Sequence, residues 1–345
     1  MPLTKPNVEL PDSYDAVLEY FLEKRWTDGL PIVPPTEDRV ARFLRGVPLD
    51  PEHIVAHIPP RNGAATVLHV AVNAVMAGAT VEVFQAIVAA LPSIALPQFN
   101  LAAIQTTTNP VAVAGFANGD VRDELGLNSG SGCLGPGNRS NASLGRTLRL
   151  LLMNVGGAEP GGLDPATQGQ PGKYTMFFAE NEEASPWEPF SVEHGLEHGA
   201  SAITFFGASG TQPMLDPSTQ ASDLARSLGR SMRSPTINDY MFDGEPWIIM
   251  APEHAMVFAK AGMSKADTKQ AVWEHTSLRL HHFSAGQRPY VERTWAPLVG
   301  SLQDRTAIPI CSSPDRMQIV VAGGASVHSV FMPTFGSTQH VMQRL

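Results

Sequence analysis

The chain has two cysteines, Cys133 and Cys311, in 345 residues, and they form no C-x-x-C pair. That excludes a disulfide framework and points to a reducing, cytoplasmic setting. Charge is also scarce. Asp, Glu, Lys and Arg make up 17% of the residues, the net charge is −9, and no basic tract occurs, so nucleic acid is not an expected partner. No apolar run reaches the roughly 18 residues a membrane helix needs. The opening MPLTKPNVELPDSYD lacks the apolar centre of a signal peptide. Glycine and proline together make about one residue in six, but 43% of the chain is hydrophobic, so they mark ordered loops and not disorder. A chain of this length and apolar content buries a sizeable core, more naturally as two lobes than as one.

What the sequence does have is a concentrated stretch from Gly115 to Gly157. Its loop, Asn128-Ser129-Gly130-Ser131-Gly132-Cys133-Leu134-Gly135-Pro136-Gly137-Asn138-Arg139, places four glycines within eight residues. Such a loop is costly in backbone entropy, and is used where φ must be positive or a ligand approaches the backbone. Leu144, Leu148, Leu151, Leu152 and Val155 follow at helical spacing. The pattern predicts a helix from about Asn141, capped by Ser140 or Asn141 and ended by Gly156-Gly157. A glycine-rich loop entering a helix N-terminus favours an anion. Arg139, Arg146 and Arg149 lie off the apolar face and together suit a carboxylate or phosphate. Cys133 in that setting is either a nucleophile with a depressed pKa or a small buried residue in a tight turn. No P-loop and no dinucleotide fingerprint is present.

Along the rest of the chain, residues 1–40 read as an arm and a helix over about Tyr14–Arg25. Residues 41–190 read as an α/β lobe carrying the cysteine loop, and 191–345 as a second. The loop from Trp26 to Thr36 pairs an aromatic and a carboxylate with stiffening prolines, which suits a pocket wall or a packing corner. Thr66–Ala77 predicts an apolar helix with His69 and Asn73 as i, i+4 partners, and Val81–Leu91 a second. Such helices serve an intersubunit face as easily as a core, so a homo-oligomer is an expectation. Leu101–Ile104 reads as a strand opening into Gln105-Thr106-Thr107-Thr108-Asn109-Pro110, a polar rim where α/β sheets bind ligands. A second strand follows over Val111–Phe116.

Beyond the central helix, Gln168-Gly169-Gln170-Pro171-Gly172-Lys173-Tyr174 lies in a long polar loop. Glu180-Asn181-Glu182-Glu183 is either a solvated turn or a source of a hard-cation site or general base. His194-Gly195-Leu196-Glu197-His198 matches the H-x-x-E-H pattern, which binds zinc when both imidazoles share a helix face; the two glycines oppose that helix. Strands are expected at Ile203–Phe206, Trp247–Met250 and Ile319–Val321. Helices are expected near Asp223–Met232, after Pro252, and from Ser264, which forms a capping box with Asp267. The last strand opens into Gly323-Gly324 and then His328. Val113–Ala117 and Val321–Ala325 resemble each other, which hints at two related halves.

Several segments taken together carry a family resemblance: WTDGLPIVPPT (26–36), QTTTNP (105–110), LGLNSGSGCLGPGNRSNASLGR (125–146), NVGGAEPG (154–161), QGQPGKY (168–174), ENEEASPWEP (180–189), PEHA (252–255), SKAD (264–267) and VVAGG…HS (320–329). The chain resembles a bacterial family whose members occur near, or fused to, the UGSC (seleno)cysteine proteins. The UGSC motif itself is absent, so no redox chemistry carries over, and the resemblance implies residues other than histidine at positions 194 and 198.

The sequence thus reads as α/β, with two lobes of mostly parallel sheets meeting at a cleft. It reads as a hydrolase- or lyase-type enzyme for a small anionic organic substrate. Cys133, Glu180, Glu182 and His328 are the catalytic candidates. Asn73, Thr107, Asn109, Asn128, Ser131, Arg139 and Lys173 are the binding candidates. This reading requires no cofactor. Two alternatives are a divalent-metal enzyme using His194 and His198 or Glu180–Glu183, and a non-catalytic partner of a UGSC-type protein.

Overall fold

The computed structural model describes residues 8–345. Helices α1 (Tyr14–Glu23) and α2 (Glu37–Leu44) flank the extended Trp26–Thr36 segment. A hairpin of β1 (Ile54–Ile58) and β2 (Gly63–Thr66) leads into α3 (Val67–Met76), α4 (Val81–Ala90) and α5 (Leu101–Thr106). Next come β3 (Ala112–Asn118), α6 (Val121–Glu124), the glycine-rich loop, α7 (Arg139–Asn154), β4 (Phe177–Ala179), α8 (Phe190–Glu193) and β5 (Ala202–Ala208). The chain continues through β6 (Gln212–Leu215), α9 (Ala221–Ser231), α10 (Asn238–Phe242), β7 (Trp247–Met250), α11 (Pro252–Lys260) and α12 (Lys265–Trp273). A short pair, β8 (Leu278–Arg279) with β9 (Ala307–Ile308), brackets α13 (Arg288–Val299). The chain closes with β10 (Gln318–Val321), β11 (His328–Met332) and β12 (Val341–Arg344).

Local signals account for many of these ends. Thr66 caps α3 in a box closed by the His69 side chain, and Ser264 caps α12 in one closed by Asp267. Pro252 opens α11, where its missing N–H costs nothing. The cap of α7 is Asn138, whose side chain accepts from the Asn141 N–H, so the helix begins before the expected Asn141. The expected strand at 101–104 is helical instead. Leu101-Ala102-Ala103 are strong helix formers, and Asn100, left-handed at φ 53°, turns the chain into α5.

Two four-stranded sheets, in the orders β12-β5-β3-β4 and β10-β7-β11-β6, form the centre. In each, one pair is parallel (β3 with β4, β7 with β10) and the others are antiparallel. The sheets are therefore mixed and not mostly parallel. The helical crossovers make the parallel pairs, and the loops at 180–201 and 322–327 then bring the chain back in the opposite direction.

The order β3, β4, β5 in one sheet repeats as β7, β10, β11 in the other, and each half then gives its last strand away. β6 follows β5 directly but pairs with β11, while β12 follows β11 but pairs with β5. The sequence similarity of 113–117 to 321–325 pairs β3 with β10, whereas the topology pairs β3 with β7. The boundary at 190 does not separate the sheets either, since β5 and β12 both belong to the first.

The sheets pack face to face. Alternate residues of β3 point opposite ways: Ala114 and Phe116 enter the layer between the sheets, while Val113 and Ala117 meet the helices. The inner layer holds Phe178, Phe206, Trp247, Ile249, Val320 and Met332. One outer core sets the first sheet against α2, α3, α4 and α7, and the other sets the second sheet against α9 to α13. Strands apolar on both faces require cover on both, so the halves meet through a packed layer and not across the expected cleft. Gly115 is required in β3, because a Cβ there would lie 2.8–2.9 Å from the Phe177 and Phe205 rings. Among the described residues, no single helix is long and apolar enough to cross a membrane.

Candidate functional site

The glycine-rich loop is stitched shut. Asn141 donates from Nδ2 to the carbonyls of Asn128 and Cys133, and its Oδ1 accepts from the Asn128 N–H. Asn128 in turn bonds Gly130 and Ser131. The loop's neighbours are backbone: Ala179 N–H donates to the Asn128 carbonyl, and Gly323 N–H to that of Ser129. A Cβ on Gly324 would sit 2.8 Å from that of Ser131. The glycines thus allow three backbone segments to approach one another.

Cys133 is 4% exposed and belongs to the apolar layer between the sheets. Burial, only partly opposed by two backbone N–H groups, pushes its thiol up to about 11. This reverses the depressed pKa expected beside a helix N-terminus, because desolvation outweighs the dipole. The three arginines do not converge. Arg139 donates to the carbonyls of Gly78 and Ala79, Arg146 pairs with Asp28, and Arg149 pairs with Asp164.

The acidic turn is a clamp. Glu180 is fully buried, and one oxygen accepts from Asn118 Nδ2 at 2.6 Å and the Phe190 N–H at 2.7 Å. Burial raises its pKa despite the nearby Lys265. Glu182 accepts from Asn118 and Gly119, and Glu183 takes a bidentate pair of bonds from Arg122. The second Glu180 oxygen, Oε1, has no hydrogen-bond partner among the described residues, while the bonded oxygens of Glu182 and Glu183 face N–H donors.

The H-x-x-E-H reading is corrected too. α8 ends at Glu193, and Gly195 takes φ 92°. His194 stacks on Phe190 at 4.0 Å and bonds its carbonyl, while exposed His198 pairs with Glu188. Among the described residues, no group of three or more His, Cys, Asp or Glu side chains is placed to hold a metal ion.

The remaining candidates are mostly held in local bonds. His328 is exposed beside Ser326 Oγ at 3.0 Å. No hydrogen bond among the described residues joins Cys133, Glu180, Glu182 and His328 to one another. Asn73 donates to the His69 carbonyl and accepts from Asn154. Thr107 and Asn109 accept the N–H groups that shape the turn into β3.

Lys173 differs from the rest. It lines a cavity of about 830 Å³ whose walls come from the Thr27–Gly29 turn, α7 and the 159–174 loop. The turn is built locally. Thr27 Oγ1 donates to the Leu30 carbonyl, the Asp28 carboxylate accepts the Leu30 N–H, and Gly29 takes φ 91°. Arg146 then grips Asp28 with bonds of 2.9 and 2.8 Å. Burial raises Asp28, but the Arg146 bonds outweigh it and hold the carboxyl below its usual range.

Deeper in, Asp164 (4% exposed) takes Lys173 Nζ at 2.7 and 2.8 Å and Arg149 Nη2 at 3.3 Å. Burial lowers the Lys173 pKa more than Asp164 raises it, and the Arg149 charge adds to the lowering. Two cations share one carboxylate here, so this group is locally positive within a lining whose other charges are Arg25, Asp28 and Glu159. Asp164 was not legible as a site residue. The signal available was the three-residue spacing of Arg146 and Arg149 off the apolar face of α7, which called for two carboxylates elsewhere. Compared with known protein families, with curated proteins and with solved structures, the chain finds no match.

Proposed function

We propose that the protein is an enzyme of hydrolase or lyase type acting on a small anionic organic substrate bound in the cavity beside α7. The observation that carries this reading is the group of half-buried Lys173 with buried Asp164 and Arg149 in the cavity wall. Its two cations against one carboxylate favour an anion at this point of the wall, and Arg146 neutralises Asp28 across the cavity. Lys173 is the acid–base group. A lysine with a lowered pKa gives up its proton more readily at neutral pH, as proton transfer requires. Asp164 fixes the ammonium in place, and Arg149 holds the substrate's charge. Asp28 and Arg146 are positioning residues that hold the turn forming the opposite wall. Cys133 and the acidic turn are structural in this reading.

The test is a turnover screen of small organic acids, esters and amides followed by proton NMR, with Lys173→Met as the control. Loss of turnover by about 10²–10⁴-fold, the usual worth of a general acid–base group, with the fold intact, is expected. Unchanged turnover in Lys173→Met would overturn the assignment.

A further inference from the structure

Behind the cavity, sharing Arg149 and Lys173 with it, lies a niche of about 10 Å³ walled by Gln105, Val111, Val113 and Leu148. Gln105 is 4% exposed, and its amide nitrogen has no hydrogen-bond partner among the described residues. A buried amide donor without an acceptor is rare and costly in folded proteins. Its neighbours also keep donors in hand. Lys173 gives two hydrogen bonds, both to Asp164, of its three N–H groups, and Arg149 gives one of its five.

We infer that this niche is a subsite for one oxygen of a substrate carboxylate, received by Gln105 Nε2, Arg149 and Lys173. The inference rests on the cavity being the substrate site, and it narrows the anion to a carboxylate. A volume of this size holds about one water-sized oxygen, and its other walls are the apolar side chains of Val111, Val113 and Leu148. A planar carboxylate inserts one oxygen edge-on and leaves the other in the open cavity. A phosphate that inserts one oxygen leaves a larger tetrahedral centre with three further substituents at the mouth, where the planar carboxylate leaves a single oxygen, so the niche favours the carboxylate. The bonds from Arg149 and Lys173 are charge-assisted, and Gln105 adds a neutral donor whose loss leaves those charges in place.

The test measures binding of acetate, succinate, glutarate, inorganic phosphate and methyl phosphate to the full chain by calorimetry. It compares the wild type with Gln105→Leu, Gln105→Glu and Lys173→Met. At least one carboxylate is expected to bind, with neither phosphate competing. Gln105→Leu should weaken that binding about tenfold or more, and near-isosteric Gln105→Glu further, by placing a carboxylate against the ligand's own. Unliganded Gln105→Leu should melt no lower than the wild type, because it removes an unpaired buried donor; if it fails to fold, Gln105→Glu decides. Carboxylate binding that Lys173→Met abolishes but neither Gln105 variant changes would overturn the niche and leave the proposed function standing, as would equal competition by phosphate. Absence of any binding sensitive to Lys173→Met would overturn both.

Discussion

The rings of Phe206 and Trp247 stack 4.3 Å apart at 23°, one from each sheet. Trp247 also meets Phe116 and Phe190 within 5.7 Å, so it joins the two sheets. Trp247→Ala is expected to cost about 3–5 kcal/mol, as for other large buried aromatics, read from urea denaturation. A loss below about 1 kcal/mol would mean that the sheets do not share this core.

Strand exchange gives a second expectation. A fragment ending at residue 218 lacks β12, and its complement lacks β6, so each sheet would expose a bare edge. Neither fragment should give a cooperative transition alone, and co-expression should restore one. A fragment that folds alone with native helix content by circular dichroism would refute the exchange.

At the cavity, Asp164→Ala should destabilise the protein more than Lys173→Met. The first leaves buried Arg149 and half-buried Lys173 without their carboxylate, a break costing about 3 kcal/mol; the second leaves Asp164 its partner Arg149. The pH dependence follows from direction. The folded state lowers the Lys173 pKa, so between the folded and unfolded values the unfolded chain binds more protons, and stability rises with pH. Lys173→Met should flatten that rise. In the wild type, turnover that uses the Lys173 ammonium as proton donor and anion partner should fall as pH rises through the lowered range.

Cys133 titrates in the opposite sense. Its thiol is raised to about 11 in the folded protein. As pH rises above the ordinary thiol range of about 8.5–9, the unfolded chain ionises first, and stability falls by on the order of 3 kcal/mol by pH 11. Cys133→Ala should remove that part of the alkaline decline, measured as the difference from wild type. Alkylation by a haloacetamide, against a Cys311→Ser background, should be slow at pH 7. A fast reaction there would restore Cys133 as a nucleophile candidate.

Asp239 is fully buried, and burial raises it to about 7 even though Thr334 donates to both its oxygens. Below about pH 4 both states hold the proton. From there to about 7 the unfolded carboxyl ionises first, so this group's contribution to stability is lost as pH rises. Asp239→Asn should make stability less dependent on pH over that interval, and an unchanged profile would place the proton elsewhere.

Elements with their own periodicity or caps were legible. α3, α4 and α7, the strand Trp247–Met250, the proline start of α11 and the box at Ser264 all lie where the residues place them, within a few positions. The 101–104 segment misled because a short apolar run fits a buried helix as well as a buried strand. The cysteine loop misled for a different reason. Its glycines do mark a close backbone approach, and residues 179 and 323–324 are the segments that approach. The 26–30 turn and Lys173 were visible as polar loops with unusual composition, and the structure sets them around one cavity.

By itself, the sequence determined the mixed α/β content, the apolar helices and the local caps, because those depend on contacts within a turn or two of chain. Only the tertiary structure decided where the arginines point, which thiol is dry and which loops face each other. Arg146 meets Asp28 across 118 positions, and Asn181 meets Gly323 across 142. Such pairings form when distant segments are desolvated together. Burial and partner charge then set each group's protonation, so their outcome is a property of the packed chain and not of any stretch within it.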